Sequence, residues 1–187
     1  MLPNQKKIGE HFKIRFYNDD MIIRVFLKIF VFFVILITLY VSCSNPEKAV
    51  LKRRKTPNFV LKDLNGNEFK LSDENGKVVV MEFLLTTCPV CKSTFPDLIN
   101  LYNEFKDDSL IVVGIVIDSE DPSAALRLKK DYNIPFPLLL DTIDVNVAYG
   151  VMEVPTIVVV DKEGWIAYEF VGGLTPENIN SIKNLLK

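Results

Sequence analysis

The order of apolar runs predicts an α/β fold, a central mixed β-sheet with helices on both faces and a β-hairpin leading into it. Three observations predict it. Val78–Leu84 is apolar throughout except for Glu82, as expected of a strand buried on both faces. A segment with helical spacing and a second apolar run, Leu110–Ile117, follow it, the pattern of a parallel βαβ unit. Thr156–Val160 and Trp165–Phe170, joined by Asp161-Lys162-Glu163-Gly164, then read as an antiparallel hairpin before a last helix.

Taken in order, residues 1–20 are mixed polar and show no period. They are either an extended leader or a stretch ahead of the true start, because Met21 with Arg24 and Lys28 gives a natural basic flank to an apolar run. That run, Ile29–Val41, is 13 residues long and broken only by Thr38, the length of a signal-peptide core rather than of a spanning helix. Counted from Val25 it reaches 17 residues with Lys28 inside, which leaves a tilted anchor open. Ser42-Cys43-Ser44-Asn45 follows and is similar to a bacterial lipoprotein signal, which implies Cys43 as the lipidated first residue. Tyr40 departs from that pattern. Lipoprotein, uncleaved anchor and cleaved soluble form all put the body outside the cytoplasm, in the periplasm or its equivalent, and residues 1–43 are read as signal or anchor.

Residues 44–57, with the basic run Lys52-Arg53-Arg54-Lys55, read as a solvated tether. The globular domain is expected over 58–187. Phe59-Val60-Leu61 and Phe69-Lys70-Leu71 flank Asn65-Gly66, a hairpin signal. Leu98, Leu101, Tyr102 and Phe105 share one helical face, with Pro96 expected to bend the helix. Asp121-Pro122 opens a helix running to about Tyr132, as an N-cap with proline in the first turn. Phe136–Leu140 is a short apolar run, and Asp144–Tyr149 a brief helix. Thr175-Pro176 caps the last helix, with Ile179, Ile182, Leu185 and Leu186 facing inward. Trp165 reads as hairpin packing. No internal repeat or low-complexity segment is present.

Composition narrows the function. Of 22 basic and 24 acidic residues, six and three lie in residues 1–43, leaving 16 and 21 beyond. A mildly acidic body without a basic stripe argues against nucleic acid as a partner. The single histidine is His11, so the domain has neither a Cys-His nucleophile pair nor a histidine-containing metal site. The strongest signal is TTCPVCKSTFP, where Cys88 and Cys91 fall between a strand and a helix. The amides and dipole at a helix start favour a thiolate at Cys88. Cys91, one turn on and more buried, would resolve a mixed disulfide. The alternative is a pair of structural cysteines or half a metal site, but no second Cys-x-x-Cys exists to complete one.

With the cysteine pair at this junction the chain resembles the thioredoxin fold, and more closely the TlpA-like membrane-tethered thioredoxins, whose superfamily includes the peroxiredoxins of the AhpC/TSA type. The motifs are FVLKDLNGNEFKLSDENGKVVVMEF, CPVC and YGVMEVPTIVVVDKEG, and the similarity covers roughly Thr56 to Lys187. The resemblance implies a thiol–disulfide oxidoreductase acting on disulfides of exported proteins, fed by an upstream membrane or periplasmic thiol donor, and requiring no cofactor and no metal. It implies that Val154-Pro155-Thr156 is the cis-proline loop lying against the cysteines. Pro155 would exclude proton donors and offer backbone to substrate, and Val154 would touch it. It places Glu82 where thioredoxins carry a buried aspartate, as proton acceptor for Cys91; reaching solvent or pairing with a lysine is the alternative. Thr87 stands where tryptophan is usual, Val90 where many members have proline, and Thr94 where some cytochrome-maturation members have an acid. Thr87, Pro89 and Val90 are therefore expected on the substrate-contact surface, and the uncharged Pro89-Val90 pair leans toward a reductant. A peroxiredoxin-type peroxidase fits less well. Its Pro-x-x-x-Thr-x-x-Cys motif meets Met81 and Leu85 counted from Cys88, and Leu84 and Cys88 counted from Cys91. A thiolate metal-delivery module is the third reading.

Overall fold

The computed structural model describes residues 23–34, 54–106, 109–118 and 121–187. Residues 23–34 form one helix, α1, exposed along its length. Among the described residues no helix is long and apolar enough to cross a membrane. Cys43 and most of the expected leader, anchor and tether lie outside them.

The second unit, residues 52–187, is built on one eight-stranded sheet. Its strands are β1 (Arg54–Lys55), β2 (Val60–Asp63), β3 (Glu68–Lys70), β4 (Val78–Leu84), β5 (Leu110–Val116), β6 (Leu138–Leu140), β7 (Thr156–Val160) and β8 (Trp165–Val171). Their order is β1-β8-β7-β4-β5-β6-β2-β3. β4, β5 and β6 run parallel, while β7 is antiparallel to β4 and β2 to β6. The helices are α2 (Pro89–Phe105), α3 (Pro122–Asp131), α4 (Val145–Tyr149) and α5 (Pro176–Leu186).

Side chains alternate across a strand, and the core divides accordingly. Val78, Val80 and Leu84 of β4 pack with Cys91, Phe95 and Leu98 of α2, with Ala125 and Leu128 of α3, and with Ile182 of α5. Val79, Met81 and Phe83 turn the other way, onto Phe59, Leu61, Leu71 and the α4 residues Val145 and Tyr149. Every residue of β4 is buried, which is why the run reads as continuous rather than alternating.

The turns follow from their side chains. Asp63 Oδ1 accepts from the amides of Asn65 and Asn67 at 2.8 Å each, and Gly66 supplies the positive φ that this β2–β3 turn needs. Asp121 caps α3 through the Ser123 amide at 2.9 Å, and Thr175 and Asn178 form a capping box on α5. α2 runs through Pro96 without interruption to Phe105. Within α5 Ile182 is fully buried, whereas Ile179, Leu185 and Leu186 are half-buried.

The sheet includes residues ahead of Asn58. Arg54–Lys55 pairs antiparallel with Ile166 and Trp165 of β8, so this part of the expected tether is an edge strand. Arg54 Nη2 donates to the Tyr149 carbonyl at 3.1 Å and to Glu169 Oε2 at 3.2 Å. Basic side chains are common on sheet edges because they discourage further pairing, and a two-residue strand offers no period to read.

Candidate functional site: a disulfide at the head of α2

β4 ends at Leu84, and Thr86-Thr87 carries the chain to Cys88, the N-cap of α2. Pro89 occupies the first helical position, where its missing amide costs nothing. Cys88 and Cys91 are joined as a disulfide with Cα atoms 5.4 Å apart, within the ordinary range for a bridge. The Cys91 amide donates to Cys88 Sγ at 3.1 Å. The helix start thus directs an N–H at that sulfur, the contact that would stabilise a thiolate there. Thr87, Pro89 and Val90 are exposed around it, Val90 by 52%. Cys88 is half-buried and Cys91 is 0% exposed.

Sheet register brings the Val-Pro loop to the same place. β7 pairs with β4 so that Thr156 lies opposite Phe83, and Val154-Pro155 immediately precedes it, level with the end of β4. The Val154–Pro155 peptide bond is cis. Val154 is half-buried and packs, with Cys88, against the core cluster that contains Cys91; Pro155 is buried. The Pro155 carbonyl accepts from the Gly172 amide at 2.8 Å, tying the loop to the end of β8.

Glu82 points to the α2 face, between Val80 and Leu84 in the alternation. It is 0% exposed, so it does not reach solvent, and among the described residues no lysine pairs with it. Its neighbours across the sheet are Gly114 and Ile157, and from α2 it meets the hydroxyl of Thr94. The carboxyl is pushed up from 4.5 to about 8 by burial, against a smaller pull downward from the Thr94 hydrogen bond. Among the described residues its Oε2 has no hydrogen-bond partner. A buried carboxyl oxygen left unpaired is expensive.

Two polar residues of this region did not stand out as functional in the sequence. Asp118, just past β5, accepts from the Thr86 amide with both carboxylate oxygens at 3.0 Å and from Thr86 Oγ1 at 2.5 Å. β4 and β5 are parallel with Leu84 opposite Val116, so two residues on Asp118 falls level with Thr86. Equal-length runs that both end in polar residues were the available signal. Thr94 drew notice only for the acid it replaces. It is 1% exposed, and its hydroxyl also lies 2.6 Å from the Cys91 carbonyl oxygen. Among the described residues no group of three or more His, Cys, Asp or Glu side chains is placed to hold a metal ion.

The sheet order, the disulfide capping α2 and the Val-Pro loop beside it define a thioredoxin-fold protein. Residues 53–169 match the model of the AhpC/TSA family, and the chain belongs to that family. It is 34% identical over 152 residues to the thiol-disulfide oxidoreductase ResA of Bacillus subtilis, covering 80% of this chain and 84% of that protein. It is 31% identical over 142 residues to the thioredoxin-like protein YneN of the same organism, covering 75% and 84%. Among solved structures, the thioredoxin domain of a thiol-disulfide oxidoreductase from Bacteroides vulgatus superposes with a TM-score of 0.65 at 26% identity, covering 71% of this chain and 96% of that one.

Proposed function

We propose that this protein is a thiol–disulfide oxidoreductase that reduces disulfides in exported proteins through Cys88 and Cys91. The observation that carries the reading is the contrast between two sulfurs of one bridge: Cys88 is within reach of solvent at a helix start, and Cys91 is fully buried. In the reduced protein the Cys88 thiolate attacks one sulfur of a substrate disulfide, and the other leaves as a thiolate. Cys91 then attacks Cys88 Sγ, the substrate's second sulfur departs as a thiolate, and the Cys88–Cys91 bridge forms. The net result is two electrons moved from the protein to the substrate. The proton released by Cys91 as it attacks goes to Glu82, whose proton affinity near 8 is close to that of a thiol. Glu82 is therefore the general base of the resolving step.

Thr87, Pro89, Val90 and Val154 form the surface that meets an extended substrate segment, with Pro155 lining it. The uncharged Pro89-Val90 pair leaves the thiolate without extra stabilisation, which favours the reducing direction. The domain works outside the cytoplasm, held to the cell envelope by the N-terminal apolar stretch with Cys43 as its lipid-bearing residue. A membrane or periplasmic thiol protein returns it to the dithiol state.

The test is the reduction potential of the pair, measured on the full chain in glutathione buffers with thiol trapping. A value near roughly −270 mV fits a reductant. A value near roughly −120 mV overturns the direction and makes the protein a disulfide donor. Absence of any reversible two-electron couple overturns the activity itself.

A further inference from the structure

The hydroxyl of Thr94 stands between two oxygens, Oε1 of Glu82 and the main-chain oxygen of Cys91. A hydroxyl has one hydrogen to donate, and the Cys91 carbonyl has none. Two hydrogen bonds at these contacts therefore need a second hydrogen, and Glu82 is the one group of the three able to hold it. With Glu82 protonated the chain is complete: the carboxylic acid donates to Thr94 Oγ1, and Thr94 donates to the Cys91 carbonyl. With Glu82 ionised, Thr94 must turn its hydrogen to the carboxylate, and the Cys91 carbonyl loses that bond. The surroundings favour the first arrangement. The flanking strand residues are Gly114 and Ile157, Cys88 and Cys91 are closed as a bridge, and no cation pairs with Glu82 among the described residues.

We infer that Thr94 is a positioning residue that holds the Glu82 carboxyl aimed in both of its protonation states, accepting from the acid while the bridge is closed and turning its hydroxyl from the Cys91 carbonyl to the Glu82 carboxylate when that proton leaves. The inference rests on the reading of Glu82 as the proton partner of Cys91 and adds the residue that aims it. When a donor thiolate attacks Cys88 Sγ, the Cys88–Cys91 bond breaks and Cys91 leaves as a thiolate. The Glu82 proton then passes to that sulfur, and the Thr94 hydrogen takes up the new carboxylate. In the resolving direction the same hydrogens move back. The hydrogen bonds of the Thr94 hydroxyl go to the Glu82 carboxyl and the Cys91 carbonyl, not to a sulfur, so it acts through Glu82. A threonine that merely bonds back to the carbonyl one turn earlier is a common helix feature, so the test must read the carboxyl itself.

Infrared difference spectra of the full-length oxidised chain provide that reading, with Glu82→Gln identifying the Glu82 band. Wild type at pH 6 is expected to show a protonated carboxyl band that Glu82→Gln lacks. Thr94→Val removes the hydroxyl while keeping the shape, and should move the band's titration midpoint up by about one pH unit, because a hydrogen bond to the charged form is the stronger one to lose. Thr94→Ser should restore the wild-type midpoint. An ionised Glu82 in wild type at pH 6, a midpoint unmoved in Thr94→Val, or a Thr94→Ser chain that titrates with a shifted midpoint would each overturn the inference. Should Thr94→Val fail to fold, the wild-type and Thr94→Ser spectra still decide it. Failure of the underlying reading is distinct: Glu82→Gln would leave the pH profile of the resolving step unchanged while the band behaves as described.

Discussion

The two faces of β4 come from one seven-residue strand and are built to different ends. On the side of α4, Val79, Met81 and Phe83 belong to a cluster of buried apolar and aromatic side chains. Phe83 lies 5.5 Å from the Tyr149 ring, and the Tyr149 hydroxyl is satisfied by the Pro57 carbonyl at 2.7 Å. On the side of α2 Glu82 stands among buried apolar residues with one oxygen, Oε2, that has no hydrogen-bond partner among the described residues. The first face contributes stability. On the proposed reading of Glu82, the second gives some of it up to keep a proton site on the face where Cys91 is buried, which a fully apolar strand would not supply.

The comparison is broken most severely at the sulfurs. Cys88→Ser should abolish turnover of a disulfide substrate. Cys91→Ser should stop at a covalent adduct through Cys88, visible on a gel run without reductant. Wild-type turnover in Cys91→Ser would show that the buried sulfur is not the resolving one.

The next effect separates the two faces directly. Phe83→Ala leaves a cavity and should cost about 3–5 kcal/mol in denaturant unfolding, with the potential of the pair unchanged. Glu82→Leu should have the opposite character, equal or greater stability near pH 8 but slowed resolution. The pH dependence gives the sign. Burial holds the Glu82 carboxyl at about 8 rather than 4.5, so the folded oxidised chain binds a proton that the unfolded chain releases. The stability tied to that proton is complete below 4.5 and is lost as pH rises through 8, with a slope of at most about 1.4 kcal/mol per pH unit. Wild type melted between pH 5 and 9 should show this decline, and Glu82→Gln should lack it. Equal slopes would mean that the two faces of β4 do not differ in this way.

Most of the architecture was legible because it is periodic. The bounds of β4, the Asp121 and Thr175 caps and the β7–β8 hairpin follow from apolar spacing and turn residues, and Glu82 drew attention as the lone charge in an apolar strand. What stayed hidden depends on register. Asp118 matters because it falls level with Thr86 across parallel strands, and Thr94 because it meets Glu82 from the buried side of α2. Neither residue is unusual in its own stretch of sequence. The Arg54–Lys55 strand was invisible for a different reason: its partner is a segment over a hundred residues later, and its own two side chains are those of a soluble linker.

The smallest effect tests how far the site's special character extends beyond β4. Asp118 holds Thr86, two residues past the strand and two before Cys88, through three contacts to one carboxylate. Asp118→Ala removes an acceptor from a partly exposed amide, so its cost should be about 1–2 kcal/mol, at the low end for bonds to a charged group. Asp118→Asn keeps an acceptor and should recover part of it. If the contact serves only the fold, stability falls and the rate of attack by Cys88 on a small disulfide does not. If it belongs to the site, as its position level with Thr86 indicates, Asp118→Ala also slows that attack several-fold in stopped-flow assays, whereas Phe83→Ala leaves it unchanged wherever the protein remains folded. A slower attack in Asp118→Ala with full recovery in Asp118→Asn would extend the chemical face of the strand to the neighbouring β5 end, with a hydrogen-bond acceptor rather than its charge as the required feature.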